Sequence, residues 1–191
     1  PGSADVAAHL FEFDSIHGRP TSPVTSGTDW IDIGYGKIPI THERNPSNIP
    51  HAAHNVDIVL ECSGKFNDRD GSLGHLAAGA KKVLVSAPCK NADMTVVFGV
   101  NHKDLNAKAD VVSNASCTTN CLAPVAKVLA DTVGIEAGYM TTIHAYTGDQ
   151  PILDSSHKDM RRARAAAMSM IPTSTGAAKA IALVLPHLKG K

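Results

Sequence analysis

V-D-I-V-L-E-C-S-G, from Val56 to Gly64, then a stretch carrying Leu73, Leu76 and Ala77, then V-L-V-S from Val83 to Ser86, decides the fold. The first run is a continuous apolar strand signal that stops at Cys62-Ser63-Gly64. The middle stretch reads as a helix closed by Gly79, and the last run is again a strand. Strand–helix–strand is a βαβ unit, which requires parallel strands and a right-handed crossover. Ligands of such sheets sit beyond the carboxyl ends of the strands. Ser63, Gly64 and Ser86 fall at those ends. The glycine permits close backbone approach, and the serines can hydrogen-bond ribose or phosphate.

Outward from this unit, Met94–Val100 and Val111–Ser113 supply two more strand signals, separated by the polar loop Asn101–Asp110. Next comes S-N-A-S-C-T-T-N-C-L-A-P, Ser113 to Pro124, which runs into an apolar helix through Leu122, Val125, Ala126, Val128 and Leu129. Cys117 therefore stands at the first turn of a helix. Unpaired N–H groups and the helix dipole stabilise a thiolate there. Ser116, Thr118 and Thr119 suit a capped helix start and could equally bind an oxyanion. Pro124 lacks an N–H and should bend or loosen the helix. Cys121, one turn on, reads as a small packed side chain.

Towards the amino end, Ala4–Phe13 reads as a short helix and Asp14–Pro23 as a loop. Ile31, Ile33, Tyr35, Ile38 and Ile40 alternate about Gly34 and Gly36 as a β-hairpin. Towards the carboxyl end, Ile135–Tyr146 alternates imperfectly and reads as a strand of a second domain, with His144 near its end. Gly148–Ala165 is a charged loop without a clean period. Thr173–Gly176 opens a helix over Ala177–Leu185 with capping residues that suit phosphate, and Pro186 stops it.

Four segments carry a resemblance: the Cys117 stretch, T-T-I-H-A-Y-T-G-D-Q (Thr141–Gln150), H-K-D-M-R-R-A-R-A-A-A from His157, and I-P-T-S-T-G-A-A-K-A from Ile171. In this order and spacing the chain resembles phosphorylating glyceraldehyde-3-phosphate dehydrogenases of the bacterial and eukaryotic type. The likeness is tightest around Cys117 and loose between Pro20 and Pro50. It implies an α/β fold: an incomplete Rossmann-type dinucleotide-binding domain over residues 1–116, then the start of an α+β catalytic domain over 117–191.

The resemblance also implies the chemistry. Cys117 would be the nucleophile and His144 the general base. Arg44, Ser63, Gly64 and Ser86 would line NAD. Ser116, Thr118, Thr175 and Gly176, with Arg162 beside them, would hold the attacking inorganic phosphate. Thr147 would hold the phosphate of glyceraldehyde 3-phosphate. NADP is not excluded, and Ser155 and Ser156 lie in the loop region that influences that choice. The working assembly would be a cytoplasmic homotetramer. The family's Gly-rich turn and much of its second domain have no counterpart here. The expectation is a partial chain of a longer enzyme, neither binding NAD tightly nor turning over alone.

Three other readings stay open on the residues themselves. A Cys–His pair also serves hydrolases and transferases. An erythrose-4-phosphate dehydrogenase has the same motifs, and a non-catalytic fragment would lack only completeness. Composition narrows the rest. The 191 residues carry 18 basic and 18 acidic side chains, so net charge gives no support for nucleic-acid or anionic-membrane binding. No apolar run approaches the ~20 residues of a membrane span, and no signal-peptide pattern is seen. Cys62, Cys89, Cys117 and Cys121 lack metal-ligand spacing, so no metal is expected and reduced thiols are. A soluble cytoplasmic protein is the expectation.

Overall fold

A computed structural model describes residues 2–191. The chain divides into two compact units: residues up to Val56 with Leu73–Ala80, and Asp57–Ser72 with Lys81–Lys191.

In the first unit, helix α1 (Ala4–Glu12) buries Ala4 and Ala8 and packs on a three-stranded antiparallel sheet. Its strands are β1 (Thr25–Ser26), β2 (Trp30–Asp32) and β3 (Lys37–Pro39). The hairpin read from the sequence is β2–β3. Its turn is closed by Asp32 Oδ1, which accepts from the N–H groups of Gly34 and Gly36 at 2.8 and 3.1 Å. The short strand β1 lacks a pattern of its own and exists through its pairing with β2.

Gly79 shows why a glycine follows helix α2 (Arg69–Ala77). Its φ is +104°, and a Cβ there would stand 2.6 Å from the Cβ of Ala52. Gly79→Ala combines a left-handed penalty with overpacking. It is expected to cost about 2–4 kcal/mol, read as a lowered midpoint in chemical denaturation.

The same unit holds a buried histidine pair. His51 Nε2 and His75 Nδ1 lie 3.0 Å apart, with the residues only 9% and 4% exposed. One nitrogen must donate and the other accept, so the neutral pair is satisfied. Burial first, then the nearby His75 and His54, push the His51 pKa below its ordinary 6.5. The unfolded chain therefore binds a proton more readily than the folded one. The contribution of His51 is intact above about pH 6.5 and is lost as pH falls below it. Thermal melts should lose a few degrees between pH 7.5 and 5.5, and His51→Phe should remove most of that slope.

The second unit carries the parallel sheet, in the order β4-β5-β7-β6. Its strands are β4 (Ile58–Glu61), β5 (Lys82–Val85), β6 (Met94–Thr95) and β7 (Val111–Ser113). All three pairings are parallel, with Glu61 opposite Val85 and Val85 opposite Ser113. The central strands bury Val83, Val85, Val111 and Ser113 at 0–1% exposure. Helix α3 (Cys117–Thr132) follows β7 and packs on α4 (Ala177–Val184). Val97, Ala115, Ala123, Ala126, Ile181, Val184, Leu185 and Leu188 form one apolar cluster there. Pro124 sits inside α3, which continues through it to Thr132.

Four expectations need correction. Cys121 is exposed rather than packed. Strand β6 stops at Thr95 rather than reaching Val100. The Asn101 side chain takes the Thr95 carbonyl and the Val97 N–H, each at 2.9 Å, and so removes groups that a longer ladder would need. Ile135–Tyr146 is not a strand. Among the described residues nothing pairs with it, and Tyr139 and Ile143 point to solvent; an alternating pattern without a neighbouring strand cannot form a ladder. Helix α4 ends at Val184, and Pro186–Leu188 continues as a single 3₁₀ turn.

Candidate active site

β7 ends at Ser113, and three residues later the chain enters α3. Ala115 makes the bend with φ +59°, unusual for a non-glycine residue, while buried to 4% exposure. Ser116 is the N-cap: its Oγ accepts from the Thr119 N–H at 3.1 Å and lies 2.7 Å from Thr119 Oγ1. Cys117 is thus the first helical residue, exposed, with the free N–H groups of the helix start around it.

His144 reaches this point from an irregular segment. Its Nε2 lies 3.1 Å from Cys117 Sγ, and its Nδ1 lies 2.6 Å from the Ala145 carbonyl. A carbonyl only accepts, so Nδ1 carries the proton and Nε2 faces the thiol as base. The pKa directions agree with a thiolate–imidazolium pair. The hydrogen bond to His144 lowers the Cys117 pKa, helped by Thr118 and opposed by partial burial. The Ala145 carbonyl and then the sulfur raise the His144 pKa. Cys89 moves the other way, pushed up by burial and by Asp68 and Asp93. All four cysteines are free.

A second cluster lies in the charged loop. Arg162 donates from Nη1 to Asp149 Oδ2 at 2.6 Å, from Nε to Thr173 Oγ1 at 2.8 Å, and from Nη2 to the Ser174 carbonyl at 3.4 Å. Arg162, then His157, hold the Asp149 pKa below the usual carboxylate range. Thr175 Oγ1 accepts from the Ala177 N–H at 3.2 Å, and Gly176 is the N-cap of α4, so capping here comes from backbone and Thr175 rather than an N-cap side chain. Thr147 Oγ1 accepts from the Asp149 N–H at 3.4 Å. Arg162 and Thr173–Gly176 are therefore together, with Thr147 joined to them through Asp149. Asp149 was not singled out from the sequence; an acid two residues after Thr147 in a basic loop was its only signal.

Ser63, Gly64 and Ser86 stand at the carboxyl ends of β4 and β5. The Ser86 N–H donates to the Glu61 carbonyl at 3.0 Å, and the Ser63 N–H donates to Glu61 Oε1 at 2.7 Å. Gly64 has φ +72°, and nothing lies within 4 Å of where its Cβ would be. These exposed hydroxyls and open backbone fit the sugar and phosphate portions of a dinucleotide. Glu61, 5% exposed, organises this turn and was read from the sequence only as a strand residue. Arg44 lies in an exposed loop of the other unit. Among the described residues there is no metal-binding cluster, and no helix is long and apolar enough to cross a membrane.

Residues 2–69 match the sequence profile of the glyceraldehyde 3-phosphate dehydrogenase NAD binding domain, and residues 116–191 match that of the C-terminal domain. The chain is 66% identical over 190 residues to glyceraldehyde-3-phosphate dehydrogenase of Xanthobacter flavus, covering 100% of this chain and 57% of that one. It is 62% identical to the Cereibacter sphaeroides protein, covering 100% and 56%. Identity to glyceraldehyde-3-phosphate dehydrogenase 2 of Bacillus subtilis is 54%, covering 99% and 56%. The chain thus spans a little over half the length of these curated relatives. Two profiles in the expected order, together matching most of the chain, join the cysteine–histidine geometry and the parallel sheet: the chain belongs to the glyceraldehyde 3-phosphate dehydrogenase family.

Proposed function

We propose that the protein of this chain oxidises glyceraldehyde 3-phosphate to 1,3-bisphosphoglycerate with NAD and inorganic phosphate, through a thioester on Cys117. The observation that carries this is the 3.1 Å approach of His144 Nε2 to a thiol at a helix start. Cys117 Sγ, its proton passed to Nε2, adds to the aldehyde carbon and forms a C–S bond. The imidazolium N–H beside it is placed to give its proton to the new alkoxide, and the neutral imidazole so formed takes that proton back as the C–H bond breaks and the C=O bond re-forms. NAD, when bound against Ser63, Gly64 and Ser86, supplies the hydride acceptor. Arg44 is the further cofactor residue in this reading. What remains on Cys117 is an acyl thioester.

Phosphate then attacks the thioester carbon and breaks the C–S bond, leaving an acyl phosphate and a thiolate. Ser116, Thr118, Thr175, Gly176 and Arg162 are the proposed phosphate residues, and Thr147 the one for the substrate's own phosphate. Because Asp149 already neutralises Arg162, an incoming anion competes with that carboxylate. We assign residues 1–116 to the dinucleotide-binding domain and 117–191 to the catalytic domain. A homotetramer in the cytoplasm completes the reading. The exposed Ile152, Leu153 and Met160 of the long loop, with Met168 and Met170 just after it, support burial against another subunit, and four unpaired thiols suit a reducing compartment.

The test is absorbance of reduced nicotinamide on adding the aldehyde phosphate, NAD and inorganic phosphate to the purified protein. Formation dependent on phosphate supports the proposal. Hydrolysis of an ester or thioester without nicotinamide reduction would replace it with a Cys–His hydrolase.

A further inference from the structure

Ser113 has no role in the chemistry above, yet it is fully buried, at 0% exposure, with its hydroxyl used three times. Oγ donates to the Ala87 carbonyl at 2.9 Å and accepts from the N–H groups of Cys89 at 3.2 Å and Ala115 at 3.1 Å. Its backbone carbonyl accepts from the Val96 N–H at 2.8 Å. One side chain therefore fastens the loop after β5, which bears Ser86, to the bend that leads into Cys117. The bend needs it. Ala115 is held at φ +59°, a conformation that a residue with a Cβ keeps only when its surroundings impose it. Its N–H has the Ser113 hydroxyl as partner, and the next two residues are the N-cap and the nucleophile.

We propose that Ser113 is a positioning residue that couples the cofactor-side loop to the nucleophile, holding the α3 start in the geometry that brings Cys117 Sγ to 3.1 Å from His144 Nε2. The proposal rests on the reading of Cys117 as the nucleophile. Ser113→Ala leaves the buried Ala115 N–H, the half-buried Cys89 N–H and one carbonyl without this partner, and it frees Ala115 to leave the left-handed region. The Cys117–His144 approach should loosen in consequence. Ser113→Thr keeps the hydroxyl.

The test is the pH dependence of iodoacetamide labelling at Cys117, read by peptide mass without added cofactor. Ser113→Ala should shift the labelling midpoint upward and slow labelling at pH 7 by about three- to tenfold, with Ser113→Thr closer to wild type. An Ala variant with native circular dichroism and a wild-type midpoint would overturn the role of Ser113 alone. A wild-type Cys117 that labels no faster than Cys62 or Cys121 would overturn the nucleophile reading, and this inference with it. If the Ala variant does not fold, hydrogen exchange on the wild type decides. Common protection of the Cys89 and Ala115 amides supports the coupling, and unrelated exchange rates contradict it.

Discussion

Under the proposed reaction, Cys117→Ser is expected to lower phosphorylating dehydrogenase turnover by at least about 10⁴-fold, because the proposed thioester step has no other nucleophile. A serine hydroxyl at this helix start keeps the shape, but its alkoxide is far less accessible near neutral pH than a thiolate. Stability should barely change, since Cys117 is exposed and its backbone role at the first turn of α3 is kept. The measurements are steady-state rates beside thermal melts of both proteins. A variant that melts like the wild type but has lost turnover fits a catalytic role, whereas a lowered melting midpoint of similar consequence would mark a structural one.

The second large effect belongs to His144. His144→Asn removes the base and, with it, the imidazole hydrogen bond and the lesser charge effect that lower the Cys117 pKa, so turnover should fall by about 10²–10⁴-fold. The labelling profile supplies the cause. In the wild type the thiolate is present below the ordinary thiol midpoint of 9.0. In His144→Asn the midpoint should climb back towards that value, and labelling at pH 7 should slow by about tenfold or more. The imidazolium is lost as pH rises through the raised His144 pKa, and the thiolate is lost as pH falls through the lowered Cys117 pKa. Activity should therefore persist to lower pH than a free thiol would allow. An unchanged labelling midpoint in His144→Asn would show that His144 does not control the sulfur.

The sheet and the site were legible to different depths. The βαβ unit could be read because its parallel strands are continuous apolar runs, I-V-L-E and K-V-L-V, even though Ile58 and Leu60 of the edge strand β4 are exposed, and because a glycine follows α2 between them. The start of α3 was legible because its N-cap serine and hydroxyl cluster are local signals. Ile135–Tyr146 misled because alternation records a preference for one face, whereas a strand also needs a partner for its backbone. Strand β1, two residues long, has no pattern at all. The least legible features are long-range polar links. Ser113 to Cys89, His51 to His75 and Arg162 to Asp149 join residues whose spacing obeys no helical or strand period. Cys117 and His144 would be equally silent without the family's motifs, because no periodicity places a histidine 27 residues along beside a thiol.

In the proposed reaction Cys117 carries the acyl group during oxidation. The most direct measurement is the mass of the protein after it is mixed with glyceraldehyde 3-phosphate and NAD in phosphate-free buffer, quenched in acid and digested. One phosphoglyceroyl adduct is expected, on the peptide containing Cys117, and it disappears when inorganic phosphate is added before the quench. An adduct on another residue, or nicotinamide reduction without any adduct on Cys117, would contradict the proposed reaction.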